Sequence, residues 1–393
     1  MDQTVILGGA RTPFGRLGGA LASKTAMELA GAAIACAVER SGLERGVIQH
    51  VVMGQVLQGG CGQIPARQAA FLAGLDKTVT AETINRVCGS GMRAVELADI
   101  EIRVGLHDVI VAGGMESMSQ APYLVRQGRS GYRFGHGVLE DLAVTDGLLC
   151  AVDHVQMGVH GDTVAAELGI GRAEQDAWAL GSHQRAIAAQ DAGRFADEIV
   201  PIEVAAKRGS TVVDADEGPR RDTSMEALTR LEPVFTDDGT VTAGNAPGVN
   251  DGAAALVLTS ARWAREHGKR PLATIVAHAE AAWDAPYLAL TPAMAGEIAL
   301  KRAGLTVVDI DLFEINEAFA NVALHTSRKL GADPERVNVN GGAVALGHPI
   351  GASGARIVLT LALELRRRGG GLGLAAICSG GGQGDAIILR VDP

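Results

Sequence analysis

The sequence predicts an α/β fold made of two similar βαβ halves with central sheets, interrupted by an inserted α-rich loop domain. Apolar runs of strand length alternate with amphipathic helical patterns before Met118 and again after Gly248, the pattern of a parallel sheet. From Met118 to about Asn245 strand signals are few. The two flanking regions also repeat each other. Ser90-Gly91-Met92-Arg93 matches Ser353-Gly354-Ala355-Arg356, and each tetrad is followed by a helix, a strand and a glycine pair, Val109–Gly114 against Ala375–Gly380. The expected division is 1–117 plus 249–270 for the first half, 118–248 for the insertion and 271–393 for the second half.

Taken in order, Thr4–Leu7 reads as a first strand and Gly8–Pro13 as its loop. Lys24–Ser41 reads as an amphipathic helix capped by Ser23 and stopped near Gly42. His50–Val56 is a second strand, Gln63–Gly74 a helix, Thr78–Val87 a strand entering a tight glycine turn, and Met92–Gly105 the helix behind it. Asp108–Ala112 is a buried strand. In the insertion, Arg172–Gln190 is helical, Gly128–Gly137 is rich in Arg, Gly and Tyr, and Asp214–Thr229 mixes charges. Arg220, Arg221 and Arg230 there fit a solvated surface or a nucleotide-phosphate contact. Strand signal returns at Gly252–Leu258 and Leu272–Ala279. Ile298–Gly304 reads as helix, and Leu312–Ile315 and Val337–Asn340 as strands. A long helix ending at Arg368 follows, then strands at Leu372–Ile377 and Ala386–Val391.

Composition limits the function. A chain of 393 residues exceeds one growing core. Aromatics are only 3%, and the 52 glycines favour closely packed backbones within a Val, Ile, Leu and Ala core. A net charge of −10 argues against nucleic acid as partner. No eighteen-residue apolar run and no basic leader point to membrane insertion or export, so a cytoplasmic enzyme is expected. Five irregularly spaced cysteines without a CxxC pair predict neither a disulfide frame nor a zinc site.

Chemistry concentrates on three turns. Cys88, followed by Gly89 and Gly91 at a helix start, has the setting of a nucleophile, and the positive helix end is expected to lower its thiol pKa. The glycines are expected to take backbone conformations closed to other residues. His348, fixed between Gly347 and Pro349, can act as base. Cys378 precedes the Gly380-Gly381-Gly382 triplet. The duplicated fold brings these equivalent turns together near a pseudo-twofold axis, and free N–H groups of the glycine-rich backbone and of Cys88 can form an oxyanion hole. A Cys–His hydrolase has no use for a second thiol. Two thiols suit an enzyme in which one holds an acyl group and the other moves a proton.

With Val87-Cys88-Gly89-Ser90-Gly91, Asn316-Glu317-Ala318-Phe319, Gly347-His348-Pro349 and Cys378 in that order, the chain resembles the thiolase family, that of acetyl-CoA acetyltransferases and 3-ketoacyl-CoA thiolases. The resemblance runs along the whole chain. It implies reversible Claisen condensation of two acetyl-CoA, or thiolysis of 3-ketoacyl-CoA, by a ping-pong mechanism through acyl-Cys88. His348 would activate Cys88 and Cys378 would deprotonate the second substrate. One oxyanion hole would be His348 with a water held by Asn316, the other the N–H groups of Cys88 and Gly380. Met157, Phe235, Ala243, Pro247, Leu288, Ala318 and Phe319 fall at positions expected to contact pantetheine or the acyl group. Coenzyme A thioesters would be substrates, with no separate cofactor and no metal, and a homodimer or homotetramer is expected, with Met118–Gly137 a tetramer contact.

Three positions depart from the family pattern: Pro247 replaces a common serine, Gln156 a usual histidine, and Ser379 a bulkier apolar residue. The β-ketoacyl synthases share the fold but use one cysteine, so Cys378 and the Asn316 motif argue against them. A thiolase-like protein that binds acyl-CoA or lipid without turnover would lack a catalytic residue, and none is missing here. A longer-chain degradative thiolase remains an alternative by sequence.

Overall fold

The computed structural model describes residues 2–393. The branched apolar runs form strands β1 (Thr4–Arg11), β2 (His50–Gly54), β3 (Thr80–Ile84), β4 (Val109–Ser117) and β5 (Asn250–Ser260) in the first half. The second half contains β6 (Ala273–Ala282), β7 (Leu312–Ile315), β8 (Gly371–Ser379) and β9 (Gln383–Val391). The spatial order is β7-β8-β9-β6-β1-β5-β4-β2-β3, with the short strand Gly15–Arg16 added on β5. Each half runs from its own first strand through its last to its middle strands, and the two join where β1 and β6 pair antiparallel at Val5–Thr274 and Ile6–Ala273.

The duplication extends to irregularities. The β1–β5 register slips between Ile6 and Gly8, and the β6–β9 register slips between Ile275 and Ala277, at corresponding places. A β-bulge is a specific local feature, so its recurrence marks the halves as copies.

Helices α1 (Ala26–Arg40) and α2 (Pro65–Leu72) cover the outer face of the first half. Helices α3 (Ser90–Val104) and α8 (Ser353–Arg367) lie between the halves, where Met92, Val95, Ile357 and Leu361 share one core with strands of both. Helices α6 (Thr291–Ala303) and α7 (Ala320–Leu330) cover the outer face of the second half. The result is a helix–sheet–helix–sheet–helix layering. Residues 118–249 add no strand to this sheet. They carry the helices α4 (Met157–Glu167) and α5 (Arg172–Asp191) and two short ribbons, Tyr123–Leu124 with Glu140–Asp141 and Ile202–Ala205 with Ser210–Val213. Buried Arg11 ties this lobe to β1 through Asp216, at 2.6 and 2.9 Å, and Glu198, at 2.8 Å.

Several local expectations change. The cap of α1 is Thr25, whose hydroxyl accepts from the Glu28 N–H while Glu28 reaches back to the Thr25 N–H, so Ser23 lies outside the helix. The helix expected at Ile298–Gly304 begins about two turns earlier at Thr291, with Pro292 in its first turn. Val337–Asn340 is not a strand. A single bridge from Val337 to Phe313 is followed by Asn338 at φ 48°, which turns the chain away.

Candidate active site

The three turns converge on one cavity of about 170 Å³, lined by Cys88, His348, Cys378 and Gly380, with Met157, Phe235, Pro247, Leu288, Ala318 and Phe319 around them. Of the residues expected to contact substrate, Ala243 alone is absent from this wall. It lines an adjoining depression with Arg16, His183 and Arg220, which shares Ala246–Val249 with the first cavity.

Cys88 sits between strand β3 and helix α3. The strain that sets it there falls on Val87, a β-branched residue at φ 46°, in the left-handed region such side chains avoid. Gly89 is instead right-handed at φ −75°, contrary to the expectation of unusual glycine conformations. The glycine is needed for room: a Cβ there would stand 2.4 Å from Asp385 Oδ2.

The expected lowering of the Cys88 thiol is also overturned. Burial pushes it up to about 12, although the N–H groups of Gly380 and of Cys88 itself favour the thiolate. Part of the residue remains open to the cavity, but protein packs densely enough round the sulfur for desolvation to outweigh two amides and a helix end. Cys378, fully enclosed at the end of β8, is raised further by burial and then by Cys88.

His348 is buried, which drops its ring to about 3, with Arg356 adding to the effect. Its Nδ1 lies 2.6 Å from Ser353 Oγ, and that hydroxyl donates to the Pro349 carbonyl at 3.0 Å. With its proton so used, Ser353 accepts from Nδ1–H. The network therefore assigns the bare lone pair to Nε2, which has no protein partner among the described residues. The His348 backbone N–H is held by Asn250 Oδ1 at 2.8 Å.

Asn316 follows β7 and anchors its N–H on the Ala376 carbonyl at 2.9 Å, two residues before Cys378. Its side chain is wholly buried, and neither Oδ1 nor Nδ2 meets a partner among the described residues. Such an orphaned amide is costly unless something polar comes to it. The neighbouring Glu317 fixes the turn by accepting from Trp178 Nε1, Ser182 Oγ, Asn338 Nδ2 and the Val344 N–H, all at 2.8–2.9 Å.

The model of the thiolase N-terminal domain matches residues 4–262, and that of the thiolase C-terminal domain matches 269–391. The chain belongs to the thiolase family. An acetyl-CoA acetyltransferase of Chromobacterium violaceum is 48% identical over 389 residues, 99% of both chains. One of Pseudomonas aeruginosa is 48% identical over 393 residues, the whole of both. The crystal structure of the Bacillus anthracis acetyl-CoA acetyltransferase superimposes with a TM-score of 0.97 at 43% identity, covering 100% of this chain and 99% of that one.

Several groups that shape this thiolase site were not singled out from sequence. In the sequence Ser353 stands out only as part of a repeated tetrad. Asn250 and Glu116 lie far from the catalytic motifs in sequence and declare themselves only through backbone contacts. Glu116 accepts from the N–H groups of Val56, Leu57 and Gly351 at 3.0–3.1 Å, joining both halves beside the His348 turn. Met118, Leu148, Val249 and Ile350 complete the apolar wall. Phe235 meets Phe319 edge to face at 6.4 Å and lies over Gly158, where a Cβ would clash with its ring.

Proposed function

We propose that the chain is an acyl-CoA C-acyltransferase that interconverts two acetyl-CoA with acetoacetyl-CoA and CoA. The observation that carries this is the meeting of two thiols and an unprotonated imidazole nitrogen in one apolar cavity, with an orphaned asparagine amide two residues from cavity-lining Ala318. A neutral thiol beside a neutral base suits proton transfer concerted with attack. His348 Nε2 takes the Cys88 proton as sulfur attacks the thioester carbonyl, the N–H groups of Cys88 and Gly380 hold the oxyanion, and CoA leaves with the proton. The Cys378 thiol then passes its proton to the freed His348 Nε2, and the resulting thiolate removes an α-proton from the second acetyl-CoA. His348, now protonated at Nε2, and a water held by Asn316 stabilise the enolate oxygen. Carbon attack on acyl-Cys88 forms the new bond and releases the Cys88 thiolate, which recovers a proton from His348 Nε2.

The cavity suits a short acyl group on a slender pantetheine arm, closed by Leu288 and Phe319. The adjoining depression with Arg16 and Arg220 has the charge to meet the phosphate end of CoA. CoA thioesters are thus substrates and no further cofactor takes part in these steps. No helix among the described residues is long and apolar enough to cross a membrane. The negative charge and reduced cysteines support a cytoplasmic setting. The exposed Tyr123, Phe134, Val138 and Leu139 of the 118–140 arm support a homotetramer, to be checked by light scattering.

Thiolysis of acetoacetyl-CoA and 3-ketodecanoyl-CoA, measured side by side with Cys88→Ala as control, tests the reading. Activity on the short substrate with acetyl-Cys88 seen by mass spectrometry supports it. Turnover confined to the long substrate, or undiminished in Cys88→Ala, refutes it.

A further inference from the structure

Outside the catalytic cavity, Cys150, Asp153 and His160 bring a thiol, a carboxylate and an imidazole together. Their ligand atoms all lie within 4.8 Å of one another, although the residues share no paired-cysteine spacing. The chain makes this possible by a tight turn. The Cys150 N–H donates to the Val155 carbonyl at 2.8 Å, and the His154 N–H to the Cys150 carbonyl at 2.9 Å with His154 at φ 56°. The turn leads into the helix Met157–Glu167 and lays Cys150 beside its first turn, where His160 faces back.

The local polar accounting is incomplete. His160 is 4% exposed, yet neither ring nitrogen has a hydrogen bond of good geometry among the described residues. Its Nε2 stands 3.0 Å from Asp153 Oδ2 without the alignment of a hydrogen bond. Two donor atoms that converge without bonding, with a free buried thiol beside them, are arranged as ligands of a common cation. In a tetrahedral zinc site with bonds of about 2.0–2.3 Å, neighbouring donor atoms stand roughly 3.3–3.8 Å apart. The observed spread, 4.8 Å at most, is about 1 Å wider than that range, and closing on the ion takes up the difference.

We propose that Cys150, Asp153 and His160 form a zinc site with water in the fourth position. Sulfur, nitrogen and carboxylate oxygen together select a borderline cation over Mg²⁺ or Ca²⁺. The Asp153 side chain, 36% exposed, gives a path from solvent. On binding, the Cys150 thiol loses its proton to solvent and the charges of thiolate and carboxylate offset the ion. The site pins the 150–155 turn to the helix that carries Met157 and Gly158, so it braces the cavity wall without touching the reacting atoms.

The test is titration of chelator-treated, reduced full-length protein with Zn²⁺ and, separately, Co²⁺, following metal-indicator competition, proton release and absorption. One equivalent per chain, about one proton released, and a near-ultraviolet sulfur-to-cobalt band are expected. All should persist in Cys88→Ala. Cys150→Ser should abolish the sulfur band, and His160→Gln or the milder surface change Asp153→Asn should weaken binding at least 100-fold. A lack of stoichiometric uptake by the wild-type protein would overturn the proposal. So would uptake unchanged in folded Asp153→Asn and His160→Gln, or abolished by Cys88→Ala, which would place the ion at the catalytic thiols. The cluster His50, Glu101 and His107 contains no sulfur and so cannot produce the cobalt band.

Discussion

Ser353 Oγ accepts from His348 Nδ1 at 2.6 Å and donates its own O–H to the Pro349 carbonyl, so a helix-start serine fixes which nitrogen of the imidazole is basic. Removing the hydroxyl leaves Nδ1–H buried without a partner and lets the other tautomer compete. Ser353→Ala is expected to lower kcat about 10- to 100-fold with KM changed little, the size of effect seen when a ligand-orienting partner is lost. Burst kinetics of Cys88 acylation would show the loss in the first half-reaction. An unchanged burst rate would mean that His348 holds its tautomer without Ser353.

The raised Cys88 thiol and the lowered His348 ring give a distinctive pH response. A thiol held near 12 is protonated at pH 8, with a thiolate fraction of about 10⁻⁴. Alkylation of Cys88 by iodoacetamide should therefore keep rising from pH 7 to 10, and a plateau below pH 9 would contradict the buried neutral thiol. His348, held near 3, remains a base well below the ordinary value, so acyl transfer should show no His348 limb near 6.5. The sign for stability follows: the folded chain prefers neutral His348. Its contribution is full above about 6.5 and is lost as pH falls from there toward 3. In His348→Asn, stability should depend less on pH over that window.

The two halves, their strands and the converging turns were legible in sequence because apolar period, glycine turns and a repeated tetrad all express local chemistry. What escaped was set by distance or density. Val337–Asn340 has strand composition, but the left-handed Asn338 uses its side chain to bond Ile315 and Glu317 instead. The Cys88 thiol was misjudged because a helix end is visible in sequence and the density of burial is not. Asn250 holds the His348 turn across a sequence gap of 98 residues, and no spacing rule announces such a contact. Ala243 was placed one depression away from its expected wall because the 243–249 loop presents Ala246 and Pro247 to the cavity instead.

Glu116 offers a stability test close to the site. Its Oε1 accepts from Leu57 N–H, and its Oε2 from both Val56 and Gly351 N–H groups. Glu116→Gln keeps the shape but sets an NH₂ against at least one of those donors. A cost of about 2–4 kcal/mol is expected from unsatisfied, opposed buried amides. Urea denaturation measures it, and a loss below about 0.5 kcal/mol would show that the carboxylate is not needed as acceptor.

The second residues of α3 and α8 test the pseudo-twofold packing directly. A Cβ on Gly354 would stand 2.3 Å from Met92 N, and one on Gly91 would stand 2.8 Å from Ala355 N, both against backbone that cannot rotate away. Gly354→Ala must push the two helices apart, and with them the Cys88 and His348 turns that precede them. Overpacking of this kind costs about 1–3 kcal/mol or more, so loss of folded protein or of most activity is expected. Gly91→Ala should act the same way but less strongly. Gly181, inside the helix Arg172–Asp191, has nothing within 4 Å of its added Cβ, and Gly181→Ala should instead stabilise the chain by up to about 1 kcal/mol through helix propensity. Parallel denaturation curves of the three variants separate packing from propensity: if Gly354→Ala behaved like Gly181→Ala, the close crossing of α3 and α8 would be wrong.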